Sequence, residues 1–291
     1  MFYASIVNMA RPQVLRLTAA VILAAGGLLI MRSFGELQLP TVLAYSGVVI
    51  FLWGLVATIL PRRWSGLPRR VHGVLIGTVL GFALCFVAFG WPVRSITTTA
   101  QTSRLDAIMP VYHFHERHEA MVHASQERVR EALNQMSFAD VGAMQALGRI
   151  RAAALRQRMN RSGKGVPPTL TIVQMIHDPR SGFFPLDESP SELVFGLAGK
   201  PWDNVGVRLT PEQFATWSPS GTVKIAANFR VDDAGGGNTR IVTETRVLAS
   251  DKAATYKMAK YWALIYPGSG MIRRELLNAV QARAERPEYA R

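Results

Sequence analysis

The sequence predicts two parts: three transmembrane helices, then an α+β domain whose curved antiparallel sheet surrounds a long C-terminal helix. Apolar residues make up 49% of the 291 residues and charged residues only 18%, below the roughly 25% usual for soluble domains. Charged residues are scarce as far as residue 93 and ordinary beyond it. Beyond that point the patterns follow in the order strand, two helices, several strands, helix, which favours an α+β domain.

Three apolar runs in residues 1–93 are predicted to be membrane spans. They cover residues 14–31, 41–60 and 71–93, and each is long enough for a helix rising about 1.5 Å per residue to cross about 30 Å of hydrocarbon. Arginines before the first run and between the last two outnumber those on the opposite side: Arg11, Arg16, Arg62, Arg63, Arg69 and Arg70 against Arg32, Arg94 and Arg104. This asymmetry predicts a bacterial inner-membrane protein with a cytoplasmic N-terminus and an extracytoplasmic domain.

The third run carries a glycine at every fourth position, namely Gly73, Gly77 and Gly81. Residues with this spacing share one helix face and allow another helix backbone to approach closely. Two interpretations remain open for this face. It packs against the other two spans of the same chain, or it docks another membrane subunit.

The chain is strongly basic, with a formal net charge of +13 and a sequence pI near 10.5. Such a charge is typical of nucleic-acid binding. In a chain with a predicted anchor it favours attraction to the anionic headgroups of the lipid bilayer instead, so no nucleic-acid partner is expected. A single cysteine, Cys85, excludes an intramolecular disulfide.

Residues 94–104 are predicted to be a polar tether and residues 105–291 a folded domain. Alternating patterns predict strands, and capping residues with helical periodicity predict helices. In chain order we expect a strand over 112–123, helices beginning at Ser125 and Ser137, strands over 192–198, 222–231 and 239–248, a short helix over 211–217, and a C-terminal helix from Asp251 that is interrupted over 267–270.

Several stretches of this domain resemble a known family. They are 114–118 (FHERH), 194–202 (VFGLAGKPW), 228–231 (NFRV), 243–247 (TETRV), 261–262 (YW) and 267–274 (PGSGMIRR). Together they resemble the helix-grip superfamily (START-related or SRPBCC, polyketide cyclase/dehydrase-like), in particular a largely uncharacterised bacterial branch. The resemblance spans about residues 105–285. It implies an apolar cavity between sheet and helix, which relatives use for lipids, sterols, hormones or aromatic polyketides.

On this resemblance the candidate ligand-binding residues of the cavity are Phe195, Phe229, Glu244, Arg246, Trp262 and Ile265. Glu244 and Arg246 share one face of a strand because side chains alternate along it. They could form an ion pair that orients a ligand in the cavity. Alternatively, they lie on the solvated outer face or pin the C-terminal helix.

No catalytic motif stands out in the chain. His113, His115, His118 and His123 are close in sequence, but no cysteine or acidic residue completes a zinc-ligand spacing beside them. No Ser-His-Asp arrangement, phosphate-binding loop or paired-carboxylate site follows from the spacing. We therefore expect no metal, no other cofactor and no catalytic residue.

Two functional hypotheses follow. In the first, the chain is a membrane-anchored, non-catalytic module that holds a hydrophobic small molecule or lipid in a helix-grip cavity. In the alternative, it is an accessory or structural subunit of a larger bacterial membrane protein complex, for example a bioenergetic one, and its folded domain is an interaction surface.

Overall fold

The structure is a computed structural model that describes residues 38–59, 75–142, 145–146 and 169–286. The chain divides into two compact units. The first contains Met1–Pro92 together with Trp262–Pro267, and the second contains Val93–Tyr261 together with Gly268–Arg291.

In the first unit, two described helices meet through glycines. Helix α1 is Leu39–Ile59, and a π-helical turn over Ile76–Leu80 leads into helix α2, Gly81–Phe89. A Cβ atom on Gly81 would lie 2.9 Å from the carbonyl oxygen of Gly47, and one on Gly77 would clash with the Cα atom of Gly54. The two backbones can therefore approach closely only because these positions lack side chains. The third predicted glycine of this face, Gly73, lies outside the described residues.

The structure corrects the predicted membrane anchor. Among the residues whose side chains are described, no helix combines the length and the apolar character that a membrane crossing requires. The run over 14–31 lies outside the described residues, side chains of α1 are described only from Leu39 to Leu55, and the described helix of the third run covers only 75–89. The predicted three-span anchor, the inner-membrane localisation and the predicted orientation of the chain are therefore wrong.

The contact between α1 and α2 gives a first prediction. Replacing Gly77 with leucine should separate the two helices, because a side chain has no room beside Gly54, and should destabilise the unit by about 1 to 3 kcal/mol or more. The matched control is Val79→Leu, two residues away and 64% exposed, which should have almost no effect. Thermal unfolding followed by circular dichroism measures both, and equal unfolding temperatures for the two variants would refute the close contact.

The second unit combines eight strands with five helices among the described residues. The strands are β1 Ile96–Thr97, β2 Val111–Tyr112, β3 Phe114–Val122, β4 Phe184–Glu188, β5 Glu192–Lys200, β6 Val205–Val207, β7 Val223–Gly235 and β8 Asn238–Ala249. The helices are α3 Arg104–Ile108, α4 Gln126–Gln135, α5 Ile172–His177, α6 Pro211–Thr216 and α7 Lys252–Ala284.

Six of these strands form one antiparallel sheet in the order β3-β8-β7-β5-β4, with β6 paired to β5. The long central strands β7 and β8 are joined by a tight turn at Gly236 and Gly237, where both residues have positive φ, a conformation that glycine adopts at low cost. The strands β1 and β2 form a separate antiparallel pair. They close the loop that carries α3.

The two faces of the sheet are covered by different helices. We call the face that packs against the C-terminal half of α7 the inner face; Phe195, Phe229 and Ile241 lie on it in one apolar cluster with Leu277 and Val280 of α7. We call the opposite face the outer face. It carries a second cluster, in which Val194 and Ala226 of the sheet pack with Leu105, Met109 and Phe214 from the segments of α3 and α6.

Helix α7 differs from its prediction. It continues without a break from Lys252 to Ala284, although Pro267 lies inside it, so the interruption expected over 267–270 is wrong. Proline removes one backbone donor from a helix, but burial of Leu276, Leu277 and Val280 against the inner face holds the following turns in place. The helix predicted from Ser137 begins as a 3-10 turn, Phe138–Asp140, and most of its range lies outside the described residues.

The fold of the second unit is therefore α+β, with a six-stranded antiparallel sheet and a long C-terminal helix. This corrects the fold class expected from the sequence, which added three membrane helices to such a domain.

Candidate functional site

The structure distributes the six predicted cavity residues over three places. Phe195 and Phe229 lie on the inner face of the sheet. Glu244 and Arg246 lie on the opposite, outer face, because their strand positions alternate with those that face α7. Trp262 and Ile265 belong to the first unit.

The two phenylalanines of the inner face are packed against each other. Their rings stack with centroids 5.8 Å apart and an interplanar angle of 23°, and Phe183 meets Phe195 edge to face at 5.6 Å. Phe195 is 8% exposed and Phe229 5% exposed. These side chains therefore fill the space between sheet and helix rather than line an open chamber.

Next to this apolar cluster the inner face carries a buried ionic group, which we call the Glu116 cluster (Glu116, His118, Ser269 and Arg273). One carboxylate oxygen of Glu116 lies 2.9 Å from Nε2 of His118, and the other accepts a hydrogen bond of 2.6 Å from the Ser269 hydroxyl. The Arg273 guanidinium lies 3.5 Å from the same carboxylate. Arg273 also donates to the hydroxyl oxygens of Thr243 and Thr245 on β8. The cluster joins α7 to the edge strand β3 and its neighbour β8.

Burial by itself raises the pKa of Glu116, but the hydrogen bond with His118, the charge of Arg273 and the Ser269 hydroxyl outweigh it. The net effect lowers the pKa of Glu116 below its ordinary value. A carboxyl whose pKa is lowered in the folded state contributes stability above its unfolded-state pKa of about 4.3. That contribution is lost as the pH falls through the lower folded-state value.

This gives a pH-dependent prediction. At neutral pH Glu116→Gln should be less stable than the wild type, and the difference in unfolding free energy should shrink as the pH falls below about 4.3. Chemical denaturation at a series of pH values measures it. Glu119→Gln, an exposed position on the same strand, is the control and should follow the wild type at every pH. A difference that grows on acidification would contradict the lowered pKa.

On the outer face, Arg246 is the centre of a second buried ionic group. Its Nε atom donates to Glu244 at 2.6 Å, and its two terminal nitrogens donate to Asp106 at 2.6 Å and to the carbonyl oxygen of Met109 at 3.1 Å. The guanidinium also lies over the ring of Tyr112, 4.7 Å from its centroid. Arg246 is only 4% exposed. The planar guanidinium suits this role because it can donate in several fixed directions at once.

A second carboxylate of the outer face holds the beginning of α3. Glu192 accepts hydrogen bonds from the backbone N–H groups of Arg104 and Leu105, at 2.7 and 3.2 Å, and from the side-chain amide of Asn228 at 2.6 Å. The Asn228 oxygen in turn accepts a bond from the N–H of Glu244 at 2.8 Å. These contacts connect β5, β7 and β8 into one network. We call Glu192, Asn228, Glu244 and Arg246 the outer-face network.

The ion pair between Asp106 and Arg246 is favoured in its charged form. Burial raises the pKa of Asp106, but hydrogen bonds from Arg246, from the Thr102 backbone and from Ser103 outweigh it and lower the pKa overall. Burial lowers the pKa of Arg246, and the bonds to Glu244 and Asp106 reverse this and raise it. Both charges of this pair are thus compensated, which is the condition for retaining them inside a protein.

Trp262 and Ile265 are members of neither ionic group. The Trp262 indole N–H donates to the side-chain oxygen of Gln38 at 3.0 Å, and its ring lies 5.9 Å from that of Tyr266. Ile265 is partly buried. All of these residues except Gln38 are on α7, and the first unit includes each of them.

The sequence interpretation missed Asp106, Glu192, Asn228 and Glu116. Two signals were present in the sequence. Ser103 with Asp106 three residues later forms a capping box, and Asn228 is a polar residue within the apolar stretch AANF of a predicted strand. Neither signal names the partner, since the contacts join residues about 15 to 155 positions apart.

A small cavity lies on the same face as the outer-face network. It is lined by Trp217, Thr222, Lys224 and Leu248, among others, and has a volume of about 10 Å³, the lower limit for one water molecule. The Lys224 ammonium donates to the carbonyl oxygens of Phe214 and Ala215. Burial lowers the pKa of Lys224. This cavity is too small for an organic ligand.

Comparison with known proteins adds little to this geometry. No family model matches the chain, and no curated protein matches it, so the resemblance to the helix-grip superfamily is not supported. A solved structure of a hypothetical protein from Helicobacter pylori is similar over 65% of this chain and 99% of its own, with 11% identity and a TM-score of 0.31. The second unit is therefore described by its structure alone, as an α+β domain with two buried ionic groups on opposite faces of one sheet.

Proposed function

We propose that the second unit is a non-catalytic protein-interaction module, and that the chain acts as an accessory subunit of a protein complex. The observation that carries this proposal is the packing of the inner face. Phe195, Phe229, Leu277 and Val280 are all buried and belong to one cluster. A module that stores a hydrophobic molecule needs a chamber of several hundred Å³ between the sheet and the helix. Here packed side chains occupy that place.

The ionic groups support a structural role in this proposal. The Glu116 carboxylate is saturated by His118, Ser269 and Arg273, and Arg246 is saturated by Asp106, Glu244 and Met109. A general acid, a general base or a nucleophile must reach a substrate atom. The Glu116 carboxylate and the Arg246 guanidinium bond to groups of the protein itself and connect helices to the sheet instead.

Native mass spectrometry of the full chain tests the proposal. After purification from its own cells under mild conditions, the chain should carry no stoichiometric apolar small molecule and should retain protein partners at a fixed ratio. The expected mass of the chain alone is 32.1 kDa. A lipid or another apolar molecule bound one to one would overturn the proposal and support the storage hypothesis.

A further inference from the structure

We propose that residues 98–110 form a displaceable lid over a peptide-docking surface on the outer face of the sheet. The partner that fits this surface is a protein segment with a carboxylate between aliphatic residues, spaced like Leu105, Asp106 and Met109. This inference rests on the proposed function and gives it a specific surface.

The lid is a closed loop with its own stem. Strands β1 and β2 pair Ile96 with Tyr112 and Thr97 with Val111, and the Thr98 N–H donates to the carbonyl oxygen of Pro110 at 2.9 Å. The loop therefore starts and ends at one point, as in compact surface loops that often carry function. None of the six strands of the large sheet belongs to this loop.

The lid lies on the sheet in the way that a bound peptide would. Two aliphatic side chains, Leu105 and Met109, are buried in the outer-face cluster at 0% and 2% exposure. Between them, Asp106 forms a 2.6 Å ion pair with Arg246. The backbone also bonds at both ends, through N–H groups to Glu192 and through the Met109 carbonyl to Arg246.

The polar groups on the receptor side of this contact belong to the sheet. Glu192, Asn228, Glu244 and Arg246 come from β5, β7 and β8, and Glu244 and Asn228 hold Arg246 and Glu192 in place independently of the lid. When the lid leaves, Arg246 keeps Glu244 as a partner, but it loses Asp106 and the Met109 carbonyl. The open surface then presents a guanidinium beside the apolar side chains that had covered Leu105.

Buried ion pairs are weak sources of net stability, because the loss of hydration offsets much of the Coulomb attraction. Their best-attested use is to fix one register or to act in a switch. A contact held by a buried Asp106–Arg246 pair selects an occupant that supplies a carboxylate at that point. A segment from another protein with the same chemistry competes with the lid for Arg246.

The first test measures whether the lid opens on its own. In the full chain, hydrogen–deuterium exchange at residues 102–109 should proceed through a local opening that requires less free energy than the opening of β7. Exchange of the lid only at the rate of β7, through global unfolding, would overturn the proposal.

The second test measures docking in trans. The probe is a synthetic peptide with the sequence of residues 98–110, and the receptor is the full chain with Asp106→Ala, which weakens its own lid but retains Arg246. Only molecules with an open lid can bind the peptide, so the apparent affinity is the intrinsic affinity multiplied by the open fraction. The lid of the variant is open more often, and the variant should therefore bind the peptide at least about tenfold more tightly than the wild type. A peptide with asparagine in place of its aspartate should bind much more weakly. Fluorescence anisotropy measures each affinity.

Controls keep the outcome interpretable. Glu119→Ala, at an exposed position, should bind the peptide like the wild type. If Asp106→Ala fails to fold, Met109→Ala weakens the lid while leaving the ion pair, and it should show the same gain. A folded lid variant that binds no peptide, or that binds it no better than the wild type, refutes the docking surface. If the chain binds the peptide and also carries an apolar molecule, the docking surface is supported and only the proposed function is refuted.

Discussion

Arg246→Ala is expected to lower the free energy of unfolding by about 3 to 5 kcal/mol, among the largest single-residue effects in the second unit. The substitution leaves Asp106 and Glu244 without their cation in a buried setting, where the Asp106 side chain is 4% exposed. It also leaves the Met109 carbonyl oxygen without its donor. Urea denaturation followed by tryptophan fluorescence measures the change.

The matched control for this experiment is Arg240→Ala on the same strand and the same face. Arg240 lies 3.6 Å from Asp232 in a pair whose arginine side chain is 45% exposed, and exposed pairs contribute about 0 to 1 kcal/mol. A second variant, Arg246→Met with Asp106→Leu and Glu244→Leu, removes all three charges and should recover much of the stability, since apolar replacements of a buried ion group are often neutral or stabilising. If Arg246→Ala and Arg240→Ala cost the same, the outer-face network has no structural role.

Phe229→Ala is expected to cost about 3 to 5 kcal/mol. The ring stacks on Phe195 and is 5% exposed on the inner face, so its removal leaves a cavity that the neighbouring side chains fill only in part. The measurement is the same urea titration, with Met121→Ala as the control because Met121 is 47% exposed. Met121→Ala should stay within about 0.5 kcal/mol of the wild type.

Phe229→Ala also distinguishes the two functional hypotheses. If the inner face is a filled core, the free energy of unfolding of the variant falls, and neither the variant nor the wild type binds a natural apolar molecule. If the inner face lines a ligand chamber, the unfolding free energy of the ligand-free chain hardly changes and binding of the natural apolar molecule falls. The same distinction cannot be made at Trp262, because this residue belongs to the first unit and bonds to Gln38.

The sequence itself determined most elements of the second unit. The alternation in β3, β7 and β8 predicted strands whose observed limits differ by a few residues, because a half-buried strand must alternate apolar and polar side chains. Ser125 is the N-cap of α4 and accepts a bond from the Arg128 N–H, as a local capping rule predicts. The pairing of Glu244 with Arg246 on one strand face also followed from local geometry alone.

Only the tertiary structure decided what those residues do. Whether the face of Glu244 and Arg246 is inner or outer depends on which helix covers it, and the covering segment around Asp106 lies about 140 residues earlier in the chain. The continuity of α7 through Pro267 likewise depends on the burial of Leu277 and Val280, which local propensity does not include. The membrane prediction is wrong as well, since no helix among the described residues is long and apolar enough to cross a membrane. Local rules govern where a strand or helix forms, whereas burial by residues distant in sequence governs which of its faces can bind anything.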